Sequence, residues 1–323
     1  MKILITGVAG FIGFSLAKDL LKSNKKIEIY GLDNFDNYYS KKIKKIRILD
    51  LKKSKRFKLL RVDICNRNFL IKKLKDQKFT YIIHLAAQAG VRFSAVEPKK
   101  YVRTNIFGFI NLLDATIKCK PKKILYASSS SVYGESKKLP SKEHHRLFPK
   151  NIYASSKKMN ETIANFYSKY YKLNLIGLRF FTVYGQWGRP DMFLFKLFNS
   201  FLNKKVFYLN NSGNHMRDFT YIDDAVKITK KLLLGGKTKS NHNVFNICSN
   251  KPIKITKIVN FFNKKYGNVK IKKILRNKLD VKNTHGSNKA VKKLTSFNKF
   301  TDYKSGIINS YEWYKKYKIH KMI

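Results

Sequence analysis

A chain of 323 residues with 43% hydrophobic and 27% charged residues has the balance of a globular protein, built as one large core or as a large domain carrying a smaller one. Its formal net charge of +50 invites a nucleic-acid reading, but the basic residues are mostly lysines spread from Lys2 to Lys321 without a dominant block or an interleaved aromatic motif, so no specific nucleic-acid partner is expected. Cys65, Cys119 and Cys248 lie scattered with no metal or disulfide spacing, which fits a reducing, cytoplasmic compartment, and no run of 18 apolar residues could form a membrane span.

Residues 2–6 are an apolar run suited to a buried strand. Gly7-Val8-Ala9-Gly10-Phe11-Ile12-Gly13 follows at once, and residues 14–23 then repeat with helical period. A second strand over 27–32 is closed by Asp33. Strand, glycine turn, helix, strand and acid, in that order, point to a dinucleotide site. Gly7 permits the tight turn, Gly10 lets backbone approach a pyrophosphate, and Gly13 seats the helix on the strand. The helix start offers unpaired N–H groups to the phosphates. Asp33, twenty residues past Gly13, can accept from both ribose hydroxyls and would repel a 2′-phosphate, which favours NAD over NADP. The spacing is GxxGxxG rather than GxGxxG, so the reading rests on the flanking elements as much as on the glycines. Residues 1–21 resemble a signal peptide in hydropathy alone; the turn glycines and the strand ending in Asp33 argue against one.

Beyond Asp33 the pattern predicts a helix over 38–51, a strand over 57–62 ending at Asp63-Ile64, a helix over 67–75 and an almost wholly apolar strand over 81–85. A long helix over 101–117 follows, with Ile106, Phe109, Ile110, Leu113 and Ile117 on its apolar face. Then come a strand over 123–127, a helix over 152–170 and a strand over 173–179. Repeated βα units with apolar strands predict an α/β fold with a doubly wound parallel sheet of the Rossmann type. After Arg179 the regularity falters. Helices are expected over 192–202, with Phe193, Leu197 and Phe201 on one face, and over 223–233, 255–266, 288–294 and 304–317. Short strands are expected over 217–221 and 243–247. This half has no glycine fingerprint of its own. The expected division is therefore an NAD-binding domain over 1–180 and a smaller C-terminal α/β substrate-binding lobe over 181–323, with some of the lobe's elements returning to the main sheet. Residues 235–241 and 277–287 are the expected flexible loops.

The chemistry-bearing residues cluster around the fifth strand. Ser128-Ser129-Ser130-Ser131-Val132-Tyr133-Gly134 lies at its end, and Tyr153-Ala154-Ser155-Ser156-Lys157 opens the next long helix. The four-residue interval places Tyr153 and Lys157 on one helical face. A tyrosine near its reference pKa of about 10 is a poor base, but a neighbouring ammonium and an oxidised nicotinamide would stabilise the phenolate. A serine hydroxyl at a strand end can share the substrate proton, in the place where open α/β sheets bind ligands. Such a Tyr–Lys pair also occurs by chance on helix surfaces; the glycine fingerprint and the serine-rich strand end give it meaning. His84 is expected as a satisfied strand-end residue and His144-His145 as solvated. No ligand-spaced set points to a metal.

With these motifs in order, the chain resembles the extended short-chain dehydrogenase/reductase family over nearly its whole length. Within that family it resembles the NAD-dependent nucleotide-sugar epimerases, most closely the UDP-glucuronate 4-epimerases. The carrying stretches are Asp33-Asn34-Phe35-Asp36-Asn37-Tyr38-Tyr39, Ala86-Ala87-Gln88-Ala89-Gly90-Val91-Arg92, and the run from Leu178 through Tyr184-Gly185-Gln186-Trp187-Gly188-Arg189-Pro190-Asp191-Met192. The resemblance implies an NAD site lined by Gly7, Gly10, Phe11, Ile12, Gly13, Asp33, Asn34, Asp63, Ile64, Leu85, Ala86, Ala87 and Asn105, with Tyr153 and Lys157 at its nicotinamide end. It implies Ser129 on the sugar 4-OH, Tyr153 as base and Lys157 as its electrostatic partner. Arg92, Ser130, Ser131, Thr182 and Arg189 are implied around the sugar, and Arg217 on the UDP diphosphate. Related 4,6-dehydratases and decarboxylases carry acids where this chain has Ser130-Ser131, so simple epimerisation through a transient 4-keto sugar is the implied reaction. The alternatives are an epimerase of neutral UDP-hexoses, such as UDP-glucose or UDP-N-acetylglucosamine, and a non-catalytic NAD-binding regulator. A homodimer through the helices over 101–117 and 152–170 is implied as well. Two departures, Leu279-Asp280-Val281 for the usual Gly-Asp-Val and Gly286-Ser287 for the usual Ala-Asp, put the tail's share of the uridine pocket in question.

Overall fold

The computed structural model describes residues 1–75, 77–136, 138–235, 240–317 and 319–321. In chain order the first half contains β1 (Lys2–Thr6), α1 (Phe11–Ser23), β2 (Glu28–Leu32), α2 (Lys41–Lys52), β3 (Phe57–Leu60), α3 (Arg67–Leu74), β4 (Tyr81–His84) and α4 (Phe93–Val96). It continues with α5 (Pro98–Tyr101), a π-helical turn (Val102–Phe107), α6 (Gly108–Ile117), β5 (Lys123–Ser129), a 3₁₀ turn (Ser130–Tyr133), α7 (Ile152–Tyr170) and β6 (Leu175–Phe180). The second half adds β7 (Thr182–Tyr184), α8 (Phe193–Leu202), β8 (Phe207–Asn210), β9 (Met216–Tyr221), α9 (Ile222–Leu234), β10 (His242–Ile247), β11 (Pro252–Lys254), α10 (Ile255–Tyr266), β12 (Ile271–Ile274), α11 (Lys289–Thr295) and α12 (Tyr303–Lys316).

The main sheet has seven strands in the order β3-β2-β1-β4-β5-β6-β10, all parallel. Alternation along each strand feeds two cores. Ile3, Ile5 and Ile83 join the core shared with α1, α2 and α9, whereas Leu4 and Ile82 join the core under α3, α6 and α7. Strand order reverses between β1 and β4, so a crevice opens beyond their carboxyl ends. The return of β10 to pair with β6 carries the second half back into the sheet (Ile247 beside Phe180), while β7-β9-β11 and β8-β12 build small sheets over the crevice.

Several expectations need adjustment. The helix expected over 101–117 begins earlier, at Pro98, and contains the π turn; its buried face is Phe109, Leu112, Leu113, Ala115 and Thr116, with Ile106, Ile110 and Ile117 only partly covered. One extra residue in that turn rotates the face away from simple helical spacing. On α8 the buried face is Leu194, Phe195, Leu197 and Phe198, while Phe193 and Phe201 flank it against other rings. The expected loop over 277–287 is irregular but tied down: the Thr284 N–H donates to the Met216 carbonyl and the Ser287 N–H to that of Ser141. Most of the other expected loop, residues 236–239, lies outside the described residues. No helix among the described residues is long and apolar enough to cross a membrane.

Candidate active site

The glycine turn is shaped by close approach. Gly7 has φ +70° and a Cβ there would sit 2.7 Å from the Ala86 nitrogen; a Cβ on Gly13 would sit 2.3 Å from the Gly7 carbonyl oxygen. The chain therefore folds flat against β4, and the start of α1, with Gly10, Phe11, Ile12 and Gly13, faces the crevice. Asp33 is buried at the end of β2. Its Oδ2 accepts from the Ala9 N–H at 3.0 Å and its Oδ1 from the Phe35 N–H at 2.8 Å. Burial pushes its carboxyl upward, offset by those two N–H groups and by the charges of Lys44 and Arg47. Asn34 and Asp63 meet each other at 3.2 Å, and Leu85 and Ala87 line the crevice wall. Ile64 is buried against Gly108, under the crevice rather than in it. These residues fit a dinucleotide: a turn that a side chain would fill, free N–H groups for a diphosphate, and a carboxylate at the end of the neighbouring strand, tied to the turn through Ala9.

Asn105 sits in the π turn and does not line the crevice. Its side chain accepts from the Gln88 N–H at 2.8 Å, donates to the Gln88 carbonyl at 3.0 Å and donates to Ser156 Oγ at 3.0 Å, while its carbonyl takes a bond from Asn160. It braces the loop after β4 against α7.

Across the crevice, α7 starts on the Asn151 side chain, which accepts from the Ala154 N–H at 2.9 Å. Tyr153 therefore lies in the first turn and Lys157 one turn later. Lys157 is buried and donates to the Ala127 carbonyl at 2.9 Å and toward Asn160 Oδ1 at 3.5 Å. Burial lowers its pKa to about 8. The Tyr153 ring stands edge-on to Tyr101, centroids 6.3 Å apart. Burial raises the Tyr153 phenol, and a hydrogen bond from Ser129 and the charge of Arg189 act in the opposite direction. Ser129 also caps the 3₁₀ turn that carries Ser130 and Ser131, accepting from the Ser131 N–H at 3.1 Å. The neighbouring Ser128 has a different task. Its Oγ donates to Glu161 at 2.6 Å, and Glu161 in turn takes two bonds from Arg179 in a buried network. His84 bonds Thr6 at 2.8 Å and stacks on Phe109, and burial lowers its pKa to about 3, as befits a satisfied strand-end residue.

The crevice continues into the C-terminal half as a cleft of about 1030 Å³. Ser129, Ser130, Ser131, Tyr153, Lys157, Thr182, Arg189, Arg92 and Arg217 all line it. Arg189 is not a simple turn residue before Pro190. It is held bidentately by Asp191, at 3.0 and 2.6 Å, and Tyr38 donates to the same carboxylate at 3.1 Å. Arg217 makes no ion pair with Asp218 or Asp223. It donates to the carbonyls of Met216, Val281 and Lys282 at 2.7–2.9 Å, whereas Asp218 is consumed by Ser249 and the Gly286 N–H. Arg92 pairs with Asp280 at 2.7 Å, and Asn210 supports the same oxygen at 3.0 Å. The divergent Leu279-Asp280-Val281 thus forms cleft wall, while Gly286-Ser287 lies on an internal seam beside Ser141 and Phe181. Tyr38, Asp191, Lys196, Asn199 and His215 line the cleft without having been singled out for a role in the sequence; only the tight Arg189-Pro190-Asp191 spacing could have hinted at Asp191.

A glycine cradle at the switch point of a parallel sheet, facing a serine, tyrosine and lysine on the next strand and helix, defines a dinucleotide-dependent enzyme of the short-chain dehydrogenase/reductase kind. The comparisons narrow this. The chain belongs to the NAD dependent epimerase/dehydratase family, whose pattern matches residues 3–248, and NAD is the cofactor its cradle takes. The chain is 38% identical to UDP-glucuronate 4-epimerase 4 of Arabidopsis thaliana, over 98% of this chain and 75% of that one. It is 36% identical to the protein CapI of Staphylococcus aureus, over 98% and 99%. Its fold is similar to a UDP-glucuronic acid 4-epimerase from Bacillus cereus in complex with UDP-glucuronic acid and NAD, with a TM-score of 0.91, 32% identity and coverage of 98% and 100%.

Proposed function

We propose that this NAD-dependent UDP-sugar 4-epimerase interconverts UDP-glucuronate and UDP-galacturonate. The observation that carries the choice of a uronate is Arg189: a half-buried cation lining the cleft, close enough to Tyr153 to act on its ionisation. Bound NAD supplies reversible acceptance of the hydride from C4. Tyr153 takes the 4-OH proton and later returns it, with Ser129 relaying and Lys157 keeping the phenolate accessible. Arg217, with Lys196 and His215 on the same cleft, holds the diphosphate end, so the sugar can turn over as a 4-keto species while the nucleotide stays anchored. A 4-keto-uronate is prone to lose CO₂. Ser130, Ser131, Thr182 and Arg189 restrain the carboxylate, and Ser130-Ser131 stand where related dehydratases and decarboxylases carry the acid that drives a further proton transfer.

The test is to incubate the purified protein with UDP-glucuronate and follow the anomeric signals by NMR. Appearance of UDP-galacturonate is expected; a product lacking the carboxyl carbon would instead mark a decarboxylase. Arg189→Ala should reduce kcat/KM for UDP-glucuronate at least ~10-fold more than for UDP-glucose, since a charge-assisted bond contributes roughly 1.5–3 kcal/mol. Equal losses on both sugars would favour a neutral hexose. We further propose a cytoplasmic homodimer, formed where Val102, Phe107, Met159, Phe166 and Tyr170 leave large apolar side chains exposed on the helices over 98–117 and on α7.

A further inference from the structure

Arg47 lies on α2 and lines neither half of the cleft, yet its side chain is completely buried. Among the described residues no carboxylate comes within ion-pair range of it. Its fork is spent on three main-chain oxygens and one phenol hydroxyl instead. Nη1 donates to the Ala9 carbonyl and to the Tyr39 hydroxyl, both at 2.8 Å. Nη2 donates to the carbonyls of Trp187 at 2.5 Å and Gly188 at 3.1 Å. Nε is buried with no partner.

The two ends of this clamp belong to the two half-sites. Ala9 is the middle of the glycine turn, and its N–H is already fixed by Asp33, so the peptides on either side of Ala9 are held by a carboxylate and by a guanidinium. Trp187, at φ +62°, and Gly188 come directly before Arg189. One side chain thus joins the phosphate turn to the loop that presents Arg189, 140 residues away from Arg47 in sequence. Asp33 is near enough for the two charges to feel each other, but it makes no ion pair with Arg47, and carbonyl dipoles offset only part of the cost of burying the cation. A diphosphate seated on the N-terminus of α1, one peptide away from the Ala9 carbonyl, would add negative charge on the side of the turn away from Asp33.

We propose that Arg47 is a positioning residue that couples the two half-sites: the dinucleotide's diphosphate compensates its charge, and the clamp then fixes the loop that offers Arg189 to the sugar. By linkage, a ligand that engages Arg189 must in turn tighten the binding of NAD, which is read below as slower release. The second half of the proposal rests on the reading that Arg189 receives a uronate; the first half does not.

The experiment follows NAD release from the holoenzyme by dialysis, alone, with UDP, and with UDP-glucuronate, for the wild type, Arg47→Lys and Arg47→Met. Lysine keeps the charge but cannot span four acceptors from one point, and methionine removes the charge at similar shape, a replacement that folded proteins commonly tolerate. In the wild type, UDP-glucuronate should slow release roughly fivefold or more beyond the effect of UDP, which has no carboxylate to engage Arg189. Both variants should lose that increment and raise KM for UDP-glucuronate, and Arg47→Met should release NAD roughly 10-fold faster or more in every condition. An increment that persists in both variants overturns the coupling. Unchanged NAD release in Arg47→Met overturns the charge compensation. A wild type that turns over UDP-glucuronate yet shows no increment also overturns the coupling; one that does not turn it over at all sinks the uronate reading and leaves the NAD result on Arg47→Met decisive. Hydrogen exchange of the 185–189 amides in wild-type protein, loaded with NAD and stripped of it, gives a check that needs no variant: loading should slow exchange there, and equal rates would refute the clamp.

Discussion

In its proposed role beside the Tyr153 phenolate, Lys157 trades stability for catalysis. Its burial lowers the ammonium to about pKa 8, below the value of roughly 10.4 of a solvated lysine. The folded state therefore binds fewer protons than the unfolded state between those values, so this group's contribution to stability is worst at and below pH 8 and improves as pH rises through that window. Lys157→Met should raise stability at pH 7 by on the order of 1–3 kcal/mol in denaturant titration while abolishing turnover; a destabilised variant would show that the Ala127 carbonyl depends on this donor more than the burial penalty suggests. The same titration predicts that kcat/KM of the wild type declines above about pH 8, as the ammonium that supports the phenolate is lost. Tyr153→Phe should lower kcat roughly 10²–10⁴-fold and retain NAD, checked by turnover and by the nucleotide released on denaturation.

At the scale of elements, the first turns of α7 place Tyr153 and Lys157, the proposed base and its partner, in the cleft. Asn151→Ala removes the cap directly before the turn that holds Tyr153, and should cost about 1 kcal/mol of stability together with a several-fold loss of kcat; Asn151→Asp should restore both. Melting temperature and turnover measured on the same samples would separate this from a purely structural cap, which would leave kcat intact. The span 152–170 was legible in the sequence because a cap residue and a long periodic run bound it. The π turn around Asn105 was not, because an inserted residue shifts the apolar phase by only part of a turn. The strands β7, β8, β11 and β12 have three or four residues each. A run that short carries too little alternation to be read, and pairing partners distant in sequence decide whether it forms.

For the whole molecule, the formal charge of +50 is spread over the surface and leaves association to apolar contact. Exposure of 58% at Phe107 and 55% at Phe166 makes these side chains the natural probes of the proposed dimer. Phe107→Asp combined with Phe166→Asp should give a monomer by light scattering with an unchanged circular dichroism spectrum; a monomeric wild type would end the dimer proposal. The cleft itself is a property of the whole chain, since Arg217 and Arg92 are oriented by the segment around Val281, more than sixty residues from the one and far beyond the other.

The sequence by itself determined the parts whose signals are local: the glycine turn with its closing acid, the order of βα units, and the tyrosine and lysine one helical turn apart. Each depends on spacing within a few residues, and backbone geometry turns spacing directly into placement. Only the tertiary structure decided that Ser128 turns to Glu161 while Ser129 bonds Tyr153, that Asp191 holds Arg189, that Arg217 grips main-chain carbonyls instead of an acid, and that Arg47 ties the two half-sites together. Those contacts join distant segments, and many end on backbone oxygens, which every residue type carries alike and which therefore leave no mark in the order of side chains.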